Sequence, residues 1–518
     1  MSKKTVTRRD FIKTIGLAAG ASVLAACGAP QTVEVVKKET QIVEVEVPVE
    51  KVVKETELVK ETQIVEVVKE NTVEKVVTAT PLPTAPPEPV VMDIWFNTDI
   101  PDINAEWAPD PNNEEFKKQW FFGGLGRAIF KPWLEKHPGI SMKITTHSWD
   151  WDLRQNQLMG LAAGIIPDTT YGEAYVNEFV QLGVFNPLND AVVALFPEGT
   201  TAGARVEGKT YGIPKSSGAD VLFINLTLWE KAGLDRAKLP TNWEELLAAC
   251  QAISKANGSE KWGNTCYYTY GPGGDSYGQA MRILHWFNQN GCPLGDNVGV
   301  PTANSDKSVE TWAFHNDLMW TSTENLILQA ESEAGSGKLF NDGVIAIKPG
   351  WNNDATSVGE GNIDATAIQF PTPPGGTPAT IVIGNDMHSP LKGGKNPDLA
   401  ITLIEESLVN EDAQAFLANN CGIWIPALKS MLEQADTYDK LAGYKTEIAQ
   451  NIVRITMKTL LTGNAGPLPG WPKNGSRIWA AWNDMYGRIW KGKMSKEDIK
   501  KELDGLQTTI EGLVRRSG

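Results

Sequence analysis

The tryptophans divide the chain into two parts of different kind. All 18 lie after residue 90, whereas residues 31–80 consist almost entirely of Val, Glu, Lys, Thr, Ile and Gln and contain no aromatic residue. A segment without large apolar side chains cannot bury enough surface to offset its conformational entropy. The sequence therefore predicts one large folded body from residue 91 onward, preceded by a segment that has no core of its own.

That preceding segment contains an internal repeat. The octapeptide Lys38–Val45 recurs as Lys60–Val67, and the alternation of Val with Glu around Pro48 is typical of a strand, while other stretches fit a helix equally well. Pro48 argues against one continuous helix. An extended or weakly self-associating spacer and a coiled coil both remain open, and the prolines of 81–89 favour a stiff polyproline II end.

Residues 1–26 have the order of an export signal, with a basic start and an apolar stretch, and Cys27 follows directly. Thr7–Lys13 (TRRDFIK) resembles the twin-arginine export motif, and Leu24–Cys27 (LAAC) resembles a bacterial lipobox, whose cysteine is lipidated. We therefore expect an extracytoplasmic lipoprotein, held by Cys27 at the outer face of the cytoplasmic membrane, with 27–90 as its stalk and linker.

Composition excludes several classes of function. With 48 Lys+Arg against 63 Asp+Glu the net charge is −15, which disfavours nucleic acid and anionic lipid as partners. No apolar run after residue 30 reaches the ~18–20 residues that cross a bilayer. Five cysteines and five histidines are too scattered to predict a metal site, and no cofactor motif is complete. Asp102, Asn104, Glu106 and Asp110 lack the Gly and Glu of a calcium loop.

Strand and helix patterns alternate along the body. Val90–Phe96 and Ile140–Thr146 have strand character, and Leu153–Ala163 follows as a helix, which predicts an α/β fold with a parallel-rich sheet. Capping-box spacing predicts a helix start at Thr241–Glu244, and Ser495 is expected to cap another helix. Helical stripes that we expect to be core continue to the end of the chain: Ile478, Trp479, Trp482, Met485, Tyr486, Ile489 and Trp490, then Ile499, Leu503, Leu506, Ile510 and Leu513.

Several phrases occur in the order found in one family. They are Leu161–Asp168 (LAAGIIPD), Gly183–Leu188, Gly208–Pro214 (GKTYGIP), Leu222–Asn225, Lys231–Leu234, Pro240–Leu246 (PTNWEEL) and Phe340–Trp351. Together they resemble the extracellular solute-binding proteins of ABC importers, family 1, of the oligosaccharide-binding type related to maltose-binding protein.

The resemblance implies two α/β lobes that close around a ligand in the cleft between them. By position, the lobes are 91–215 with 385–425 and 220–380 with 428–518. The segments that cross between the lobes fall near Lys215–Val221, Thr380–Asn385 and Ile423–Ala427.

A sugar site needs flat aromatic platforms surrounded by side chains that donate and accept hydrogen bonds. Trp351 lies in a polar loop after Pro349 and Gly350 and matches the ligand-stacking Trp of the family, with a core role as the alternative. Trp471 lies in a Gly/Pro-rich loop and fits a ligand site or loop packing equally well.

Further candidate ligand contacts come from strand ends, the Pro-Asp phrase, the crossings and an aromatic run at 267–270, for which a packing face of a strand is the alternative. They are Trp95, Asn97, Tyr171, Glu173, Tyr175, Asp220, Tyr268, Asn385 and Asp386. Gly172 and Gly218 replace a Trp and an acidic residue of the maltose-type relatives, so maltose itself is not the expected ligand.

We therefore predict a monomeric, non-enzymatic receptor that captures a carbohydrate and delivers it to the transmembrane subunits of an ABC permease. The alternatives are an exported polysaccharide hydrolase, a surface adhesion protein, and a binding protein for a peptide or polyamine. Cys266 and Cys292 are candidates for a disulfide, Cys250 is expected to be a free core thiol, and Cys421 has no assignment.

Overall fold

The structure of the body is a computed structural model, and every residue that it describes belongs to the unit Ala85–Gly518. The described residues are 89–96, 129–147, 150–172, 176–256, 283–292, 302–320, 333–361, 363–383, 387–422, 424–462, 465–466, 474–490 and 492–516. The predicted signal, the lipidation site Cys27 and the stalk lie outside them.

The strands in these ranges are short. In chain order they are β1 (Val90–Phe96), β2 (Ile140–Thr146), β3 (Thr169–Gly172), β4 (Arg205–Val206), β5 (Lys209–Thr210), β6 (Ile213–Pro214), β7 (Gly218–Ala219), β8 (Val221–Asn225), β9 (Ile347–Gly350), β10 (Ala365–Ile368), β11 (Thr380–Ile383), β12 (Met387–Pro390) and β13 (Ala465–Gly466). The predicted strands Val90–Phe96 and Ile140–Thr146 are confirmed as β1 and β2.

The helices account for more of the described chain than the strands do. They are α1 (129–136), α2 (Asp150–Ala162), α3 (Val176–Gln181), α4 (Asp190–Val193), α5 (Glu198–Thr201), α6 (Leu226–Lys231), α7 (Trp243–Ala256), α8 (Leu284–Gln289), α9 (Asp306–Met319), α10 (Glu333–Asn341), α11 (Asn352–Glu360), α12 (Pro397–Leu408), α13 (Glu411–Cys421), α14 (Lys429–Leu432), α15 (Glu447–Leu461), α16 (Gly475–Trp490) and α17 (Lys496–Arg515). Within these ranges, no helix combines the length and the apolar character needed to cross a membrane.

Local sequence explains several of the helix starts. The hydroxyl of Ser495 accepts a hydrogen bond from the backbone N–H of Asp498 at 3.1 Å, which confirms the predicted cap of α17. At α7 the cap is one residue later than the predicted box: Asn242 Oδ1 accepts from the N–H of Glu245 at 2.9 Å, and Glu245 in turn accepts from the N–H of Thr241. Both caps satisfy backbone donors that have no partner inside the helix.

Two principal sheets are present. In the first, the strand order is β2-β1-β3-β12-β6, with β1 parallel to both β2 and β3 and with β12 antiparallel to β3 and β6. In the second, β8 lies between β10 and β9, and both pairs are antiparallel. The parallel pairs of the first sheet and the surrounding helices agree with the predicted α/β class.

A small third sheet has the strand order β13-β11-β7, and its strands β7 and β11 lie along the chain between strands of the two principal sheets. The chain leaves the first sheet after β6, contributes β7, and enters the second sheet at β8. It contributes β11 and then returns to the first sheet as β12. A third connection is marked by the bridge between Ser217 and Ile425. These three connections place the end of β6, the ends of β7 and β11, and Ile425 in one region.

The second half of the chain has an aromatic core. Trp243 stacks on Phe314 with ring centroids 4.0 Å apart, and Trp312 lies 5.3 Å from Trp482 and 5.6 Å from Phe287. All seven residues of the predicted stripe on α16 are buried, which confirms them as core. On α17, Ile499, Leu503, Leu506 and Ile510 are buried, and Leu513 packs against them while partly exposed.

The cysteine predictions were wrong. Cys292 is a free, buried thiol that lies 3.6 Å from the hydroxyl of Thr311, so it does not form the suggested disulfide with Cys266. Cys250, on the buried face of α7, is disulfide-bonded instead of free, to a cysteine whose side chain is outside the described set. Apolar periodicity identifies a buried position, but it does not distinguish a core thiol from a buried half of a disulfide.

Candidate functional site

The carboxyl ends of β1 and β3 form one edge of the first sheet, because the two strands are parallel neighbours. Tyr171 lies near the end of β3, and His388 is paired with it at the start of β12. Lys215 follows β6, the next strand after β12, and therefore joins the same edge. Ligands of open α/β sheets bind beyond the carboxyl ends of the strands, so a ligand site is expected at this edge.

Lys215 is held between two aromatic rings at this edge. Its ammonium lies 4.7 Å from the ring centroid of Tyr171 and 4.4 Å from that of Trp424, and both distances are within the range of a cation–π interaction. The lysine and both rings are buried. We call Lys215, Tyr171 and Trp424 the lysine cage.

His388 extends the lysine cage toward the core. Its ring centroid is 5.6 Å from that of Tyr171 and 5.5 Å from that of Phe96. Burial, and secondly the positive charge of Lys215, lower the pKa of His388 well below 6.5. His388 is therefore a neutral imidazole at neutral pH, and it offers one N–H donor and one acceptor nitrogen beside the cage.

One end of the second sheet, where β9 ends and β8 begins, also lies at the crossings. Gly350, the last residue of β9, is paired with Val221, the first residue of β8. Trp351 directly follows Gly350, and Asp220 directly precedes Val221, so both residues lie just beyond this end of the strand pair. Asp220 is fully buried, whereas Trp351 is partly exposed. A tryptophan and an aspartate thus flank the end of the second sheet.

A buried ion pair lies behind Trp351. The ammonium of Lys348 is 3.2 Å from a carboxylate oxygen of Asp354, in the first turn of α11. Lys348 also lies 5.6 Å from the ring centroid of Phe223. At Gly350, an added Cβ would come within 2.2 Å of Phe223 and 2.4 Å of Asp354, so only glycine allows β9 to pass this close to both.

The two edges are tied together by hydrogen bonds along the crossings. The backbone N–H of Ser217 donates to Ile425, and the hydroxyl of Thr380 donates to the backbone carbonyl of Asp220 at 3.0 Å. The hydroxyl of Thr356, in α11, donates to the carbonyl of Gly422 at 2.6 Å. We call the lysine cage, His388, Asp220 and Trp351 together the crossing site. Only four residues lie between Lys215 and Asp220, so their Cα atoms are at most ~17 Å apart.

The structure brings Tyr171, Asp220 and Trp351 to this region. Trp95 lies at the carboxyl end of β1, and its ring is buried against His147, at a centroid distance of 4.5 Å, and beneath Gly160 of α2. A ligand role for Trp95 stays a prediction. The other candidates, Asn97, Glu173, Tyr175, Tyr268, Asn385, Asp386 and Trp471, lie outside the described residues and stay predictions.

Sequence reasoning missed Lys215, His388 and Trp424 as site residues. Lys215 directly follows the Gly208–Pro214 phrase, and Trp424 lies inside the predicted crossing Ile423–Ala427, so the crossings themselves contained the evidence. Over residues 215–220, Lys215, Ser216, Ser217 and Asp220 are all buried, which is unusual for consecutive polar residues. No group of three or more His, Cys, Asp or Glu with metal-binding geometry occurs within the described ranges.

Comparison with known proteins identifies the family. The model of the bacterial extracellular solute-binding proteins matches residues 128–446, more than half of the chain. A binding protein of Brucella abortus (strain 2308) is 34% identical over 140 residues, which are 26% of this chain and 33% of that protein. The arabinooligosaccharide-binding protein of Bacillus subtilis (strain 168) is 24% identical over 232 residues, or 42% of this chain and 51% of that protein. The matches thus span between a third and about half of these relatives.

Solved structures share the fold over a longer stretch. The cyclic alpha-maltosyl-1,6-maltose binding protein from Arthrobacter globiformis aligns with a TM-score of 0.63 and 16% identity, covering 82% of this chain and 99% of that one. The sugar-binding protein MalE from Xanthomonas citri aligns with a TM-score of 0.62 and 17% identity, covering 82% and 98%. These likenesses confirm the two-lobed α/β fold. Fold and family model agree, and the chain belongs to the bacterial extracellular solute-binding proteins.

Proposed function

We propose that this protein captures an oligosaccharide at the crossing site and delivers it to the permease of an ABC importer. The observation that carries the proposal is that the partly exposed Trp351 and the buried Asp220 both lie just beyond the end of the β8–β9 pair. An apolar platform beside a hydrogen-bond acceptor matches the two kinds of surface on a sugar ring. The arabinooligosaccharide-binding relatives and the sugar-binding structural neighbours support a ligand of this class.

The mechanism follows from the crossings. We assign 91–215 with 385–425 to one lobe and 220–380 with 428–518 to the other, so that a ligand at the crossing site touches both. A ligand that makes all its contacts only when the lobes are closed stabilises the closed state, and no bond needs to break. A micromolar site provides ~8 kcal/mol of binding free energy for this purpose.

In this proposal Trp351 stacks on a sugar face and Asp220 accepts hydrogen bonds from its hydroxyls. Tyr171 and Trp424 contribute through the lysine cage, in which they fix the position of Lys215. The undescribed candidates that follow β1, β3 and β11 in the chain, namely Asn97, Glu173, Tyr175, Asn385 and Asp386, complete the set of polar contacts. The lipid anchor at Cys27 keeps the receptor beside the permease.

The experiment is a thermal-shift panel on the processed chain with Cys27→Ser, using arabino- and malto-oligosaccharides and the corresponding monosaccharides. A bound glycan at 100 times its dissociation constant adds ~2.7 kcal/mol to the unfolding free energy. Spermidine and a short peptide serve as arms for the alternative ligands. A shift with either of these and none with any glycan would contradict the proposal.

The same glycans separate a receptor from a hydrolase. A glycoside hydrolase needs two carboxyl groups ~5–9.5 Å apart across the scissile bond. After prolonged incubation with the protein, we expect each glycan to be recovered intact by chromatography. Release of shorter products in proportion to protein concentration would show that the protein is an enzyme.

A further inference from the structure

Trp351 is the single residue that links β9 to α11. The strand ends at Gly350 and the helix begins at Asn352, and the backbone of Trp351 between them is extended, with φ −117° and ψ 177°. The position of its indole therefore depends on how the strand and the helix are held relative to each other. A stacking platform binds best when its orientation is fixed in advance, because ordering a side chain on binding costs affinity.

The elements on both sides of Trp351 are held by their own neighbours. β9 is paired with β8 along its whole length. The far half of α11 packs so closely on α15 that a methyl group at Gly359 would collide with Thr446 and Ala449. What remains to be fixed is the junction between the strand and the helix.

The buried ion pair of Lys348 and Asp354 spans this junction. Lys348 lies on β9, three residues before Trp351, and Asp354 lies in the first turn of α11, three residues after it. Only 1% of the lysine side chain and 11% of the aspartate side chain are exposed. The N–H of Asp354 also donates to the carbonyl of Trp351 at 2.9 Å. Both contacts join the strand to the helix across the tryptophan.

Stability alone does not account for such a pair. Two buried charges lose their hydration, and their mutual attraction often does no more than offset this cost, so neutral side chains of similar shape can be equally stable. A buried pair does restrict geometry, because each charge must stay within reach of the other. The Lys348–Asp354 pair is therefore better suited to fixing the junction of β9 and α11 than to holding the fold together.

We propose that Lys348 and Asp354 are positioning residues, which orient Trp351 for stacking without touching the ligand themselves. This inference rests on the proposed function, since Trp351 is the stacking platform only there. The pair holds the junction in one geometry before a glycan arrives. Less of the binding free energy is then lost to ordering the indole.

The first test removes both charges and keeps the approximate shape of both side chains, in the double variant Lys348→Met with Asp354→Asn. We expect its unliganded melting temperature to stay close to that of the parent protein, while its affinity for the best glycan falls at least ~tenfold. Asp354→Asn alone leaves the buried lysine without this counter-charge and should lower both quantities. A melting temperature of the double variant that falls along with its affinity would make the pair a structural one and overturn the proposal.

The matched control is an exposed ion pair at the other end of the same helix. Glu360, the last residue of α11, lies 2.6 Å from the ammonium of Lys445, and both side chains are exposed. Glu360→Gln with Lys445→Met should change neither the melting temperature nor the affinity, because exposed pairs contribute little. Equal weakening of glycan binding by the two double variants would contradict a special role for the buried pair.

A spectroscopic readout follows Trp351 without any ligand. In fluorotryptophan-labelled protein, the fluorine resonance of Trp351 is the one missing from Trp351→Phe, and that of Trp320 is assigned in the same way. The Trp351 resonance should shift or broaden when the buried pair is neutralised, while the Trp320 resonance stays unchanged. If the double variant does not fold, Lys348→Gln, which keeps a donor for Asp354 and removes the charge, is judged by the same readouts.

The two readouts separate this inference from the proposed function. When the parent binds a glycan, the neutral pair must both weaken binding and change the Trp351 resonance, and either change without the other would overturn the positioning role. When the parent binds no glycan, the proposed function fails. An altered Trp351 resonance in the neutral pair would then still show that the pair orients Trp351, and an unaltered one would overturn that as well.

Discussion

The aromatic residues of the second half and those of the crossings have the same chemistry and different surroundings. In the core, Trp312 is fully buried, with Phe287, Trp482 and Tyr486 at centroid distances of 5.3–5.8 Å. At the crossings, Trp351 is partly exposed at the end of β9. The core rings are covered on all sides, whereas Trp351 packs against the core and remains partly exposed.

Helical periodicity in the sequence identifies some of the buried tryptophans, but not all of them. Tryptophans at helical spacing, such as those of α16, are core, and their stripe was sufficient to predict this. A tryptophan outside any stripe lies in a loop or at a strand end, where nothing requires it to be covered. Trp95 shows the limit of that rule, since α2 covers it although it lies near the end of a strand.

The largest effect is expected in the core. Trp312→Ala removes a fully buried indole from contact with four other rings, including that of His315, and should lower the unfolding free energy by ~3–5 kcal/mol. Chemical denaturation measures the loss. Trp320→Ala, at the partly exposed end of α9, is the control and should cost much less. Equal losses in the two variants would mean that the core and the surface tryptophans do not differ as described.

The next effect concerns the strand that leads into the crossing site. Gly350→Ala would force its methyl group against Phe223 and Asp354 and should cost ~1–3 kcal/mol of unfolding free energy. Gly505→Ala is the matched control, because a methyl there meets no atom within 4 Å and lies in the interior of α17. It should stabilise the protein by up to ~1 kcal/mol. Unchanged stability in Gly350→Ala would show that β9 has more room than its contacts indicate.

Buried histidines in both regions make stability depend on pH. Burial lowers the pKa of His315, in the aromatic core, from 6.5 to about 3, and the pKa of His388 is lowered as well. Below pH 6.5 the unfolded chain therefore binds protons that the folded chain does not. The unfolding free energy should fall as the pH drops, by up to ~1.4 kcal/mol per pH unit for each histidine, and these groups should contribute no slope above about pH 7.

Denaturation curves at pH 7.5, 6.5 and 5.5 test this dependence. In His315→Gln the slope between pH 6.5 and 5.5 should be smaller than in the parent protein. The difference in slope is the readout, because the substitution itself lowers stability at every pH. An unchanged slope would mean that His315 is protonated inside the folded core.

The smallest effect is at the end of the chain. Ser495→Ala removes the hydroxyl that accepts the N–H of Asp498 and should cost ~1 kcal/mol. Ser495→Asn, which retains a cap, should restore most of it. Loss of stability in both variants would assign Ser495 a role other than capping.

Much of the fold was predictable because it is encoded locally. The bounds of β1 and β2, the stripe on α16 and the cap at Ser495 each depend on residues that are close in sequence. The family was predictable for a similar reason, since its phrases are short and occur in a fixed order.

The crossing site was only partly predictable, because it is assembled from distant parts of the chain. Strand pairing between distant segments brings Lys215, Trp424 and His388 together, and no local sequence pattern predicts that pairing. The disulfide of Cys250 depends on its distance from another cysteine, which apolar spacing does not reveal. The family resemblance did predict the positions of the crossings. Lys215, His388 and Trp424 lie in or beside them.

The most direct test is calorimetric titration of the best glycan into the parent protein, Trp351→Ala and Trp320→Ala. Both tryptophans are partly exposed, but Trp351 lies at the crossings, directly after β9, whereas Trp320 directly follows α9. Loss of a stacking platform at the crossings predicts that Trp351→Ala binds at least ~tenfold more weakly, a loss of ~1.4 kcal/mol, with an almost unchanged unliganded melting temperature. Trp320→Ala should bind like the parent. Parent-like affinity in Trp351→Ala, or equal weakening in both variants, would contradict a sugar site at the crossings.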